Sequence, residues 1–250
     1  MITRFRTAGD PAVLGGMAPL SPSSQQRPPC SRVALLGTIG HLHAEAVRYD
    51  LERLRRLVET LEPDLLAVEV EPDAWESGDP DQLPLEVREA LAPASRLTDT
   101  VVVPLGAQAR LEPATDDGGL LRLRTALIRG ADDLLNAIAR AVDSPAVVSR
   151  GAYAHFCGQV CSLEAAAAGK TSRAAWARAN DRIIERLREV VSANPGSRVL
   201  LAVNCRRVHL LTRRLQGLAD EIELVRFEDL NPLNPMPSLR SARAEEGATR

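Results

Sequence analysis

Apolar and polar positions alternate along this chain in blocks of two kinds. Val33-Ala34-Leu35-Leu36-Gly37 and Leu65-Leu66-Ala67-Val68-Glu69-Val70 are short apolar runs bounded by turn residues, which is the pattern of buried strands. Between them, Val47, Leu51, Leu54, Leu57 or Val58, and Leu61 recur at spacings of three and four. Arg48, Glu52, Arg55, Arg56 and Glu59 fill the opposite side, predicting an amphipathic helix from about Ala44 to Leu61 that Pro63-Asp64 ends. Residues 33–71 therefore read as a βαβ unit whose two strands are expected to lie side by side. Further strands are predicted at Thr98–Leu105, Ser197–Val203 and Ile222–Phe227. Helices are predicted at Leu120–Val142, Ala146–Ala168, Ser172–Ala193 and Arg207–Gln216, with at most a short helix near Leu85–Leu91. Strands alternating with helices predict an α/β fold with a mostly parallel sheet of about five strands. The helical segments from the middle of the chain would form a cap or flank.

Pro11, Pro19, Pro22, Pro28 and Pro29 break the first 31 residues, and an Arg/Glu/Ala-rich stretch closes the chain. The expected organisation is a disordered tail over 1–31, one α/β domain over 32–230 and a second disordered tail over 231–250. With 250 residues, a formal net charge of −2 and Lys170 as the only lysine, bulk electrostatics favour neither nucleic acid nor an anionic membrane as a partner. No apolar run approaches the ~20 residues of a membrane span. Four cysteines, Cys30, Cys157, Cys161 and Cys205, make no disulfide framework in a chain of this length, so a cytoplasmic protein is expected.

Candidate chemistry collects at predicted strand ends, because ligands of open parallel sheets bind outside the carboxyl ends of the strands. Two of the chain's four histidines, His41 and His43, follow the first strand. Neutral imidazoles there could bind a metal or act as acid and base, or could simply belong to a polar turn. Glu69 ends an apolar strand, where a carboxylate must be paired, protonated, metal-bound or in water. Asn180 falls in the apolar stripe of its helix with Trp176, Ile183, Leu187 and Val190, so it is expected to be buried and hydrogen-bonded, with Arg178 pointing elsewhere. The fourth strand ends in Asn204-Cys205-Arg206-Arg207, where two arginines at a helix start could hold an anionic group. Cys205 would be a nucleophile there only if neighbouring charge lowered its pKa. His155, Cys157 and Cys161 match no common zinc spacing and lack a fourth ligand.

Gly37-Thr38, Pro63-Asp64, Val68-Glu69, and Asn180 with Arg178 occur in an order that resembles the TraB, Tiki and erythromycin-esterase-like superfamily, which also holds ChaN-like haem-binding proteins. The resemblance covers roughly Val33–Val70 and Arg178–Phe227. It departs at Gly40, which stands where the first motif has its histidine so that His41 comes one residue late, and at Asn204–Arg207, which lacks the second motif's glycine and histidine. It implies a hydrolase of ester or amide bonds with His41, Glu69 and His43 as catalytic groups. A divalent metal on His41, Glu69 and His209 is also implied. Arg206, Arg207, Asn204, Asn180 and Arg178 would bind the substrate. The alternative is a non-catalytic module on the same fold, binding a small molecule or a protein.

Overall fold

The computed structural model of the protein describes residues 29–45, 47–106, 109, 111–112 and 119–231, with the backbone alone at 119–122 and 124. The expected tails therefore lie almost wholly outside the described residues. Within them the chain forms the α/β fold that the pattern predicts: a five-stranded, all-parallel sheet flanked by helices.

The strands are β1 (Ser31–Thr38), β2 (Leu65–Val68), β3 (Val101–Pro104), β4 (Arg198–Asn204) and β5 (Ile222–Val225). Their order across the sheet is β3-β2-β4-β1-β5. This corrects one expectation, because β1 and β2 are not neighbours. β4 lies between them, pairing Leu35 with Leu201 on one side and Ala67 with Leu201 on the other. The three central strands are apolar on both faces, and a continuous apolar run carries no record of which other run it pairs with.

Even and odd strand positions divide the core into two layers. Ala34, Leu36, Leu66, Val68, Leu200 and Ala202 pack against α1 (Leu51–Leu61), the segment 87–94, α4 (Gly119–Ala141) and α6 (Gly151–Ala167). Val33, Leu35, Leu65, Ala67, Val199, Leu201 and Val203 pack against α7 (Lys170–Ala193) and α8 (Cys205–Gln216). The short helices are α2 (Pro72–Ser77), α3 (Ala92–Ser95) and α5 (Pro145–Ser149). None of the described helices is long and apolar enough to cross a membrane.

The first helix begins later than the spacing predicts. Gly40–Ala44 is a 3₁₀ turn, and α1 starts only at Leu51, where the Asp50 carboxylate accepts from Arg53 N–H at 2.8 Å. The single predicted segment Ala146–Ala168 is two helices, broken where Gly151 takes φ +82°, a left-handed conformation that suits glycine.

This topology positions the site. The chain leaves β1 along the α1 face towards β2, and leaves the neighbouring strand β4 along the α8 face towards β5. Adjacent strands whose connections go to opposite faces and opposite edges leave a crevice between their outgoing loops, the topological switch point where open α/β sheets place ligands.

Candidate functional site

A cavity of about 630 Å³ opens at that switch point. The end of β1 and the turn after it supply Thr38, Gly40 and His41, the position just after β2 supplies Glu69, and the segment preceding Val87 supplies Asp81 and Glu86. Asp132 of α4, Tyr153, Cys157 and Glu164 of α6, Trp176 of α7, and Asn204 to Arg207 complete the wall. Gly40 makes the tight turn possible: its φ is +59°, and a Cβ there would stand 3.3 Å from Asn204 Nδ2 across the crevice.

The most constrained group is Arg207, whose guanidinium is almost wholly buried. Its Nε donates to Glu69 Oε1 at 2.7 Å, Nη1 to Asn180 Oδ1 at 2.7 Å and Nη2 to the Ala109 carbonyl at 2.8 Å. Its Cζ lies 3.8 Å from the centre of the Trp176 ring, giving it a π face as well. Glu69 Oε2 accepts from the Asn204 backbone N–H at 3.1 Å, so both of its oxygens are engaged. Burial is the largest influence on Glu69 and pushes its pKa up, opposed by the Arg207 charge and the Asn204 N–H. Asn180 is fully buried and donates from Nδ2 to the Trp176 carbonyl at 2.7 Å, leaving Oδ1 to orient Arg207. α7, β2 and α8 are thus tied at one point by a cation, a carboxylate and an amide.

Arg206 points into the other side of the cavity. Its Nη1 lies 2.5 and 2.6 Å from the two Glu164 oxygens, and Nη2 pairs with Asp132. Asn204 caps α8, its Oδ1 accepting from Arg206 N–H at 3.1 Å. Beside this cap the Cys157 thiol donates to Cys205 Sγ at 3.0 Å, and the Tyr153 hydroxyl stands 3.8 Å from the same sulfur. On the β1 side, Glu86 is buried and accepts from the Thr38 hydroxyl at 2.9 Å.

The structure brings His41, Glu69, Asn204, Arg206 and Arg207 to one cavity and leaves other candidates out. His43 is buried with both ring nitrogens engaged: Nε2 accepts from Ile39 N–H at 3.1 Å, and Nδ1 donates to the Tyr49 carbonyl at 2.9 Å. Burial lowers its pKa from 6.5 to about 4, so it is a neutral strut of the turn and does not fit the catalytic role the motif implied. His209 does not line the cavity. It packs edge-on to His155, with ring centres 5.6 Å apart, on the α6–α8 contact, where a Cβ on Gly158 would stand 2.8 Å from it. Arg178 is exposed on α7 and does not reach the cavity.

The implied divalent metal therefore does not fit this donor set. Of the three expected ligands, His209 lies elsewhere and Glu69 has its charge met by the Arg207 guanidinium. Among the described residues, no group of three or more His, Cys, Asp or Glu side chains is placed to hold a metal ion.

Among the participants that escaped the sequence reading are Glu86, Asp132, Tyr153 and Glu164. Glu86 sits in a proline-punctuated stretch without a periodic pattern, and Tyr153 and Glu164 belong to a helix apolar on nearly every side. A signal did exist for Glu164, a lone acid in an alanine-rich helix. No family model matches the chain, and no curated protein or solved structure matches it either.

Proposed function

We propose that the chain binds a small polar molecule in the cavity at the carboxyl edge of its sheet, with a cationic or hydrogen-bond-donating group of that molecule facing Glu86. The observation that carries this reading is the charge balance of the wall. Among the described residues, its two arginines are engaged by Glu69, Glu164 and Asp132, whereas the buried Glu86 carboxylate is met by the neutral Thr38 hydroxyl. A buried carboxylate without a cation at hand is costly, and a ligand cation would offset that cost. Arginines already engaged in this way offer little to an anion, so the ligand is not the negatively charged one that the Asn204–Arg207 sequence suggests.

A thermal-shift screen of small amines, guanidines, carboxylates and phosphates tests this. Cationic compounds should raise the melting midpoint of the wild type and not of Glu86→Gln. Stabilisation by carboxylates or phosphates alone would overturn the reading. A hydrolase remains the second reading because His41 is exposed on the wall of the same cavity as Glu69. Ester or amide turnover that disappears in His41→Ala would favour it.

A further inference from the structure

We infer that Cys157 and Cys205 form an oxidisable dithiol at the cavity wall, able to reduce a small hydroperoxide and close into an intramolecular disulfide. Cys205 is the first residue of the twelve-residue helix α8, at the helix end whose free N–H groups favour negative charge. Its sulfur accepts from the Cys157 thiol at 3.0 Å, faces the Tyr153 hydroxyl at 3.8 Å and neighbours Arg206. These contacts lower the Cys205 pKa, the hydrogen bond from Cys157 foremost, while the same bond and burial raise that of Cys157. One sulfur is favoured as thiolate and the other keeps its proton, the division of labour of an attacking and a resolving thiol. Both cysteines are themselves buried, and both belong to the cavity wall, so the cavity is the route by which a small oxidant would have to reach them. The sulfurs stand 3.0 Å apart, against about 2.0 Å in a disulfide.

The chemistry balances without a metal or cofactor. The Cys205 thiolate attacks the outer oxygen of the hydroperoxide, the O–O bond breaks, and the alkoxide leaves as the alcohol on taking a proton. Cys205 is then a sulfenic acid. The Cys157 sulfur displaces its hydroxyl, giving the disulfide and water. Two thiols and one hydroperoxide become one disulfide, one alcohol and one water. An external dithiol reverses the oxidation by exchange. This inference stands independently of the ligand proposed above, since it concerns only the two sulfurs and their access.

The test uses the full chain carrying Cys30→Ser, which removes the exposed thiol and leaves three. One equivalent of hydrogen peroxide should consume two of the three thiols, lower the mass by about two hydrogens and yield a Cys157–Cys205 linked peptide, all reversed by dithiothreitol. In the Cys157→Ser background, Cys205 should stop at the sulfenic acid, trapped by dimedone. Cys205→Ser should slow thiol loss by at least about tenfold. Cys161→Ser should react like its parent. Unchanged thiol counts in the folded Cys30→Ser chain, or a linked peptide joining Cys157 to Cys161, would overturn the inference, and neither result depends on whether the chains further substituted at Cys157, Cys205 or Cys161 fold.

Discussion

The turns that leave β1 and β4 begin as neighbours at one edge of the sheet and end chemically unlike. After β4, Arg206 and Arg207 find carboxylates supplied by three other elements, and Asn204 spends its amide oxygen on capping α8. After β1, His43 is consumed by its own backbone, but Thr38 and His41 face the cavity, and Thr38 meets Glu86. One side of the crevice is an ion-pair scaffold closed on itself. The other holds a buried carboxylate and an exposed imidazole. The residue types alone point the opposite way, because arginines at a helix start look like ligand-binding groups. What decides the matter is whether the fold delivers a partner to each charge.

The sharpest way to break the closed side is to remove half of its central pair. Arg207→Met leaves the Glu69 carboxylate mostly buried against the Asn204 N–H alone, and Glu69→Gln leaves the Arg207 charge beside an amide. Each should cost about 3–5 kcal/mol of folding stability by urea denaturation. The double variant Arg207→Met with Glu69→Met should cost much less than the two single changes added, because it leaves no uncompensated charge. Strict additivity would mean that the pair is not coupled as its 2.7 Å contact implies.

The next effect belongs to the turn after β1 and depends on pH. The folded pKa of His43, about 4, lies below its ordinary value of 6.5, so between these limits the unfolded chain binds more protons than the folded one. The stability from a neutral His43 is complete above pH 6.5 and is lost as pH falls towards 4. At ~1.4 kcal/mol per pH unit, that loss is about 3 kcal/mol. Glu69 and Glu164, whose pKa values burial raises, act in the opposite sense and gain relative stability on acidification. The measurement is therefore a difference: urea unfolding of the wild type and His43→Gln at pH 7 and pH 4. The wild type should lose about 3 kcal/mol more than the variant, and parallel losses would show that His43 is not held neutral.

How much of this was legible in the sequence follows from the range of each interaction. The strands and most helices could be read because each is written in the period of its own apolar residues. The glutamate after an apolar strand and the amide in an apolar stripe could be read as anomalies. Their resolution could not, since Glu69 and Asn180 meet on a guanidinium 138 and 27 residues away in sequence. The insertion of β4 between β1 and β2 was equally invisible, and with it the fact that Asn204 would face Gly40. His41 and His43 differ by two positions and by everything that matters chemically, because a 3₁₀ turn aims one at solvent and the other at the Ile39 N–H and the Tyr49 carbonyl. The Cys157–Cys205 contact spans 48 residues and two helices that no spacing rule connects.

Asn180 sharpens the comparison from the closed side with the smallest change. Its amide is buried without exposure and does two things at once: Nδ2 is satisfied within its own helix by the Trp176 carbonyl, and Oδ1 takes one N–H of Arg207. Replacing it with leucine removes the acceptor but leaves Glu69 and the Ala109 carbonyl on Arg207, so the loss should be about 1–3 kcal/mol, below that of breaking the ion pair. Asn180→Asp separates geometry from charge, because it restores the acceptor and adds a second carboxylate beside the buried guanidinium. If Asn180 serves mainly to orient Arg207, the aspartate should recover most of the stability lost in the leucine variant near neutral pH and lose it again on acidification, as the new carboxylate takes up its proton. An aspartate variant as unstable as the leucine one throughout that range would instead place the importance of Asn180 in its Nδ2 bond to the Trp176 carbonyl, and not in orienting Arg207, which Glu69, the Ala109 carbonyl and the Trp176 ring also contact.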